Sequence, residues 1–276
     1  MKKVIAFCCA LLCVCVSAFA WDYKSEKKEV NNSFQLRAGA DFTKKFDHNV
    51  NLSISEELRF TVAPFVGATV FNRSFTTIDL SYKPIEYLKI DAGYMLKLIG
   101  ANSEAKSASH WADPNEYIRH RVFFSVTGIY KYERWQFSLR ERALLDMRTD
   151  SVNPLEKNAF DWTMRHKLQV TYSSHRYPIK PYCWVELANT LNVPEYQKQY
   201  KDNDPTNNQG TQYLERIRVA LGTKYKLDSN NAFNFFYRFD WTYTRDINVT
   251  KNKGYVELTE KYSPQHAIGF TYEFDW

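Results

Sequence analysis

The last eleven residues alternate strictly between two kinds of side chain. Over residues 266–276, one face carries His266 followed only by apolar or aromatic residues, namely Ile268, Phe270, Tyr272, Phe274 and Trp276. The intervening positions are small or polar. A period of two is the spacing of a β-strand and not of a helix. The pattern therefore predicts a C-terminal strand with one aromatic face and one polar face.

The same alternation recurs along most of the chain, in segments of about ten residues, the length that a tilted membrane strand needs. The other segments are Phe34–Phe42, Val50–Phe60, Ile78–Tyr82, Leu88–Leu98, Ile118–Val126, Trp135–Leu145, Phe160–Tyr172, Tyr182–Leu191, Ile217–Tyr225 and Phe233–Tyr243. Glu56 interrupts the apolar face of its segment, which predicts a bulge or the end of the membrane portion there.

The connections between these segments alternate between short and long. Short ones are expected near Lys44–Asn49, Lys83–Glu86, Gly128–Glu133, Ser173–Lys180 and Lys226–Asn231. Long polar ones are expected near Thr61–Ser74, Ile99–Asn115, Arg148–Asn158, Asn192–Gly210 and Asp246–Tyr262. Short periplasmic turns and long outer loops are typical of bacterial membrane barrels.

We therefore predict an all-β fold, a single antiparallel transmembrane up-and-down β-barrel formed by residues 33–276. The pattern gives about eleven strands, but such barrels usually have an even number. We expect about 12 strands, with 10 as the alternative. The polar segment 21–32 is either an N-terminal tail, a poor first strand or a segment inside the lumen.

The N-terminus has the features of a cleaved signal peptide, which we assign to residues 1–20. Lys2 and Lys3 precede an apolar run, and Ala18-Phe19-Ala20 forms a small-residue cleavage site. Four of the five cysteines lie in this segment, so the mature chain keeps only Cys183 and forms no intramolecular disulfide.

The composition fits a membrane barrel better than a helical membrane protein. The chain has 19 Tyr, 19 Phe and 7 Trp, yet its mean hydropathy is negative. In a barrel strand only every second residue faces lipid, so the chain combines many aromatic residues with a polar overall composition. Without Lys2 and Lys3, 35 basic residues face 31 acidic ones, a formal charge of +4, which is too mild to indicate a nucleic-acid partner.

Short motifs resemble a family of Gram-negative outer-membrane barrels known as domain of unknown function 2490. They are Ser55–Phe60, Tyr117–Arg121, and Trp135 followed by Arg140–Arg142. The C-terminal strand ending at Trp276 also resembles the signal read by the barrel assembly machinery. These resemblances imply a multi-pass barrel in the cell outer membrane, in contact with outer-membrane lipids and lipopolysaccharide. The family implies no activity and transfers no catalytic residue.

Strand parity places many charges in the predicted lumen, with cations outnumbering acids. Our candidate binding residues are Glu57, Arg59, Arg119, Arg121, Arg140, Arg142, Arg165, Glu186, Arg216, Arg218 and Arg238. Three interpretations remain open. The residues form a charge network that fills a narrow barrel, a basic constriction that favours anions, or a site for an acidic ligand.

An enzymatic site has little support in the sequence. His120, His166 and His266 fall on the aromatic face, whereas hydroxyl residues such as Ser125 fall on the polar face. A nucleophile and its base must lie within hydrogen-bond reach, so we expect no catalytic residues. The loop Asp202-Asn203-Asp204 lacks the glycine and the glutamate of a calcium loop, and we expect neither a metal site nor a cofactor.

The function that we expect from the sequence is a narrow channel, anion-favouring if the lumen cations form its constriction, or a plugged structural barrel. A surface-interaction protein that uses the long loops Ile99–Asn115 and Asn192–Gly210 is the alternative. A lipid-modifying enzyme is a minor alternative. The oligomeric state is not predicted.

Overall fold

The computed structural model describes residues 28–30, 33–63, 68–99, 118–148, 158–193, 213–250 and 255–276. Within these ranges the chain forms twelve strands and one short 3-10 turn, Asp47–Asn49. The strands are β1 (Lys28–Val30), β2 (Ser33–Lys45), β3 (Val50–Ala63), β4 (Ala68–Ile85), β5 (Leu88–Ile99), β6 (Ile118–Tyr132), β7 (Trp135–Arg148), β8 (Phe160–Tyr172), β9 (Ile179–Thr190), β10 (Tyr213–Lys226), β11 (Asn231–Thr250) and β12 (Tyr255–Asp275). No helix in the described ranges is long and apolar enough to cross a membrane.

The strands form one closed barrel. From β2 to β12, each strand pairs in an antiparallel manner with the next one along the chain. The ring is closed by a parallel pair between β12 and β2, which runs from Gln265 opposite Ser33 to Asp275 opposite Thr43. Strand β1 also pairs with β12 in parallel, with Lys28 opposite Glu260. The residue numbers of its paired positions differ by the same amount as those of the β2–β12 pair, so the two pairs share one register. Strands β1 and β2 therefore lie end to end, and the twelve strands occupy eleven positions around the barrel.

The predicted all-β barrel is confirmed, with one correction to its closure. We expected antiparallel pairing throughout, with an even number of positions. Consecutive strands alternate in direction, so an odd number of positions makes the first and last strands run the same way. The described part of segment 21–32 extends β2 along β12 and does not add a further position. The remainder of that segment and the predicted signal peptide lie outside the described residues.

One end of the barrel carries the short connections, as the sequence predicts, and we call it the turn end. The opposite end, the loop end, carries the longer connections. Two of these are shorter than expected, because β3 continues to Ala63 before β4 begins at Ala68, and β11 continues to Thr250 before β12 begins at Tyr255. Polar residues in Thr61–Ser74 and Asp246–Tyr262 indicated loops, but strand pairing continues through them because backbone hydrogen bonds do not require apolar side chains. Most of Ile99–Asn115 and Asn192–Gly210 lies outside the described residues.

One turn is fixed by a side chain. Asp228 Oδ1 accepts hydrogen bonds from the backbone N–H groups of Asn230 and Asn231, each at 2.8 Å. These donors, together with the Asn231 side chain, hold the pKa of Asp228 below its usual range. The turn therefore presents a stable carboxylate at the point where β11 starts.

The two faces of the barrel differ as the alternation predicts. Large apolar and aromatic side chains are exposed on the outer face of almost every strand, among them Leu36, Ile54, Leu80, Phe124, Phe137, Trp162, Leu221, Phe235, Trp241 and Phe270. The inner face buries charged and polar side chains, including Arg37, Asp91, Glu186 and Asp240. An apolar outer band around a polar interior is typical of a transmembrane β-barrel.

The C-terminal residue takes part in the closure. The backbone N–H of Trp276 donates to the carbonyl of Thr43, and the backbone N–H of Lys45 donates to the carbonyl of Trp276, both at 2.9 Å. The Trp276 ring stacks on Phe274, with 5.6 Å between centroids. The aromatic end of the chain is therefore part of the parallel seam between β12 and β2.

Candidate functional site in the barrel lumen

The structure places all eleven predicted site residues on the inner face of the barrel, because the alternation holds over the part of each strand that carries them. They come from seven strands, β3 and β6 to β11. The positions that alternate with them carry outward residues such as Leu58, Val122 and Val219. Their role as a binding or selectivity site stays a prediction.

Most of these residues join one continuous chain of ion pairs, which we call the ion-pair belt. In order around the wall, its contacts are Arg59–Glu57 at 2.5 Å, Glu57–Arg37 at 3.9 Å, Arg37–Asp240 at 3.6 Å, Asp240–Arg218 at 3.6 Å, Arg218–Glu186 at 2.7 Å and Glu186–Arg140 at 3.2 Å. Arg238 adds a contact of 2.7 Å to Asp240. The belt crosses the closing seam and spans more than half of the circumference.

The middle of the belt is deeply buried. Arg37 is 2% exposed and Glu186 is 4% exposed. Removing such charges from water costs several kcal/mol per ion, and the cost is recovered only when each charge has partners with good geometry. Each acid of the belt contacts at least two arginines, so the belt is held in place, but its five arginines outnumber its three acids and it keeps a net positive charge.

Some lumen cations form no ion pair with an acid among the described residues, and we call three of them, Arg142, Arg165 and Lys167, the basic group. Arg142 stacks over the Phe123 ring, with 4.3 Å from Cζ to the centroid. Lys167 lies over Trp184, with its Nζ 4.5 Å from the centroid. For Arg165 the described residues supply no ion pair, and its Nε has no hydrogen-bond partner. The basic group therefore leaves positive charge in the lumen that the belt does not neutralise.

A cavity of about 620 Å³ follows the lumen past these residues. Its lining begins at the turn end with Lys45 and Asn51 and reaches Arg121 and Arg216 near the loop ends of β6 and β10. Arg142 and Arg165 also line it. It therefore extends from the turn end past the middle of the barrel, whereas β11 and β12 continue beyond it at the loop end.

A second cavity, of about 390 Å³, lies beside β8 to β12 and is lined by Lys167, Trp184 and Arg238. Both cavities border Glu57, Lys224 and Glu273. Lys224 and Glu273 form an ion pair with each other. This pair therefore lies between the two cavities and narrows the space that connects them.

The sequence did not reveal all of the charged residues at the site. Strict alternation assigns Glu215 to the outer face, but the β9–β10 register shifts between Leu214 and Arg216. Glu215 therefore accepts a hydrogen bond of 3.3 Å from Thr190 and pairs with Arg216. Nothing in the local sequence marks this bulge.

Two other omissions could have been found. Asp146 pairs with Arg121, and Lys224 pairs with Glu273. Asp146 and Lys224 are the two residues that were omitted. Both obey the strand alternation, so their parity alone was sufficient to assign them to the lumen.

The histidines of the described strands lie on the outer face, as their parity predicts. His120 contacts the Tyr94 hydroxyl at 2.6 Å and His266 contacts that of Tyr237 at 2.7 Å. On the inner face, Ser125 donates to Asp91 at 3.0 Å. Within the described strands, the arrangement brings no histidine to a lumen hydroxyl.

A family model described as Protein of unknown function (DUF2490) matches residues 34–252. The chain belongs to this family. Among solved structures, a NanC porin is similar with a TM-score of 0.44 and 11% identity, over 87% of this chain and 98% of that one. The outer-membrane expressed OmpT of Vibrio cholerae is similar with a TM-score of 0.35 and 15% identity, over 78% and 61%. No curated protein matches the chain.

Proposed function

We propose that the protein is an outer-membrane barrel that acts as a narrow, anion-favouring channel. The observation that carries the proposal is the cavity of about 620 Å³ that extends from the turn end as far as Arg121 and Arg216 and is lined by Arg142 and Arg165. Neither arginine forms an ion pair with a described acid, so both present charge to whatever enters.

The physical basis is the Coulomb attraction between these cations and an anion in a confined, weakly polarisable wall. Two unit charges interact by about 1 kcal/mol at 4 Å in bulk water and by several times more near a protein wall. Rings of Arg and Lys select anions in pores for this reason. The belt also carries two more cations than acids, but each of its arginines contacts a carboxylate, so we assign the larger part of the selectivity to Arg142 and Arg165.

A plugged structural barrel is the second candidate, and the ion-pair belt supports it. The belt links strands on both sides of the seam and fills part of the interior with buried side chains. In that case the cavities are local spaces and carry no current.

We propose a passive role and not an enzymatic one. The inner hydroxyl of Ser125 is engaged by Asp91, and the histidines of the described strands face outward. We further propose that the outer band contacts membrane lipids and lipopolysaccharide, and that the C-terminal strand is the segment read during barrel assembly. The seam contacts of Trp276 support this last proposal.

The test is planar-bilayer recording of refolded residues 21–276 under a tenfold salt gradient. We expect stable current steps with an anion-selective reversal potential. Changing Arg142 and Arg165 to Gln should lower the anion-to-cation permeability ratio about two- to fivefold, the effect of roughly 0.5–1 kcal/mol. The matched control is Arg176→Gln in the β8–β9 turn, which removes the same charge outside the lumen and should leave the ratio unchanged.

Two outcomes decide against the channel. A cation-selective pore, or a ratio that is unchanged in the Arg142 and Arg165 variants, contradicts the role of the basic group. A correctly folded barrel that carries no current supports the plugged form.

A further inference from the structure

A row of alternating aromatic and glycine residues crosses four neighbouring strands of the lumen wall. It consists of Tyr182 on β9, Gly222 on β10, Phe236 on β11 and Gly269 on β12, and each residue is directly opposite the next one in the row. Tyr182 and Phe236 line the cavity of about 390 Å³, so the row lies on the inner face. We call these four residues the aromatic row.

The two glycines allow the two rings to lie along the wall. A β-carbon at Gly222 would overlap the end of the Tyr182 ring, and one at Gly269 would overlap the Phe236 ring. Glycine inside a strand often marks such a close approach. The Tyr182 hydroxyl also donates a hydrogen bond of 2.8 Å to Asn234 Oδ1, which fixes this ring in place. The aromatic row therefore presents ring surface to the cavity without closing it.

The remaining lining of this cavity is polar. Gln169 and Thr171 border it on β8 and are hydrogen-bonded to each other at 3.2 Å, and Asn234 borders it on β11. Small-molecule sites have volumes of about 300–1,000 Å³ and combine aromatic surface with a few polar groups. The volume and the lining of the cavity both match that description.

The charge around the aromatic row is not balanced. Lys180 and Lys224 are directly opposite each other, two residues from the row, or about 7 Å toward the turn end. Like charges in this position are destabilising. Lys224 pairs with Glu273, but Lys180 forms no ion pair with an acid among the described residues. An anion beside Lys180 would supply the missing counter-charge.

We propose that this cavity binds small organic anions in which a ring lies beside the charged group, with the ring on the aromatic row and the charge at Lys180. The inference rests on the proposed channel function and deepens it by naming the class of solute. An inorganic anion is attracted by Lys180 but makes no use of the two rings. A neutral ring compound uses the rings but leaves the lysine charges unbalanced.

The ring can be that of a sugar acid or of an aromatic acid, since both combine a ring face with a carboxylate. The probes are glucuronate and benzoate, with glucose and benzamide as their neutral counterparts and acetate as the anion without a ring. Saturation-transfer NMR titrations of refolded residues 21–276 in detergent micelles measure each affinity, after subtraction of the signal from micelles without protein. We expect at least one ring acid to bind about fivefold more tightly than acetate and than its own neutral counterpart.

The charge contact is tested with Lys180→Gln. This change should weaken binding of the ring acid about three- to fivefold and leave that of the neutral compounds unchanged. The matched control is Lys131→Gln, which removes an exposed lysine at the turn end of β6 that borders neither cavity. It should leave both affinities unchanged.

The aromatic row is tested with Gly222→Ala, which should displace the Tyr182 ring into the cavity and weaken ring-acid binding about fivefold. The matched control is Gly93→Ala, whose β-carbon would overlap the Phe123 ring outside this cavity. Phe236→Leu is a second variant that removes a ring without introducing an overlap, and it should weaken binding similarly. Heat-dependent migration in SDS gels verifies that each variant is folded.

The results separate this inference from the channel itself. Binding of the ring acid in a barrel that carries no current keeps the site and refutes the channel. Anion-selective current without preferential binding of either ring acid keeps the channel and overturns the inference. Affinities that are unchanged in Lys180→Gln or in Phe236→Leu overturn it as well.

Discussion

Arg37 on β2 reaches across β12 to Asp240 on β11, and its Nη2 atom lies 3.6 Å from the carboxylate. The same nitrogen donates to Gln265 on β12 at 3.3 Å. These contacts span the only parallel seam in the described barrel. Parallel pairing is slightly weaker per residue than antiparallel pairing. Side chains that bridge the seam therefore add stability where the backbone hydrogen bonds contribute least.

The first prediction concerns this bridge. Arg37→Gln should lower the free energy of unfolding by about 3 kcal/mol, because it leaves buried carboxylates with one cation fewer. The measurement is urea unfolding of the refolded barrel in vesicles. The control is Lys45→Gln, which removes the exposed pair with Asp275 at the turn end and should cost about 0.5 kcal/mol or less. Equal costs for the two variants would show that the seam does not depend on the buried bridge.

The second prediction separates buried cations with and without partners. Arg165→Gln should not lower the free energy of unfolding, since no described acid pairs with Arg165 and the change relieves a desolvated charge. The measurement is the same urea titration, with Arg37→Gln as the reference for a paired cation. A loss comparable to that of Arg37→Gln would mean that Arg165 is held by a partner beyond the described residues.

Strand alternation predicted the faces of this barrel well, because membrane strands obey a period of two over their whole length. The lumen position of Arg140 and the outward position of His166 both followed from counting residues. The parallel pairing of β2 with β12, which closes the barrel, did not follow from this counting. Pairing of Phe34 with His266 joins residues from opposite ends of the chain, and nothing local in either segment specifies a parallel register.

The ion pairs of the lumen were predictable only in part. The sequence shows that Glu186 and Arg218 face inward, but their contact depends on the β9–β10 register. Glu215 is the clearest failure, because a one-residue bulge reverses its face and leaves no mark on the pattern. Contacts that cross an intervening strand, such as that of Arg140 on β7 with Glu186 on β9, depend on the curvature of the closed barrel.

The third prediction concerns the connection between the two lumen cavities. The ion pair of Lys224 and Glu273 borders both of them. If the barrel conducts, changing both residues to Ala should raise single-channel conductance, because two long side chains leave the passage while the net charge stays constant. The control exchanges them, Lys224→Glu with Glu273→Lys, which keeps both the pair and the bulk. A conductance that rises equally in the exchanged variant would contradict the constriction.

The fourth prediction concerns strain in the two-residue turn between β6 and β7. Two residues, Glu133 and Arg134, connect β6 to β7, and Glu133 has a φ of 51°. Two-residue hairpin turns favour positive φ, a conformation that glycine adopts freely and that a residue with a β-carbon adopts at a cost. Glu133→Gly should therefore raise the free energy of unfolding by about 0.5–1 kcal/mol, even though it removes an exposed side chain. Arg134→Gly is the matched control, since Arg134 is not among the described residues with positive φ and should gain nothing. Urea unfolding of both variants distinguishes the cases, and a gain from Arg134→Gly but not from Glu133→Gly would show that the strain lies elsewhere in the turn.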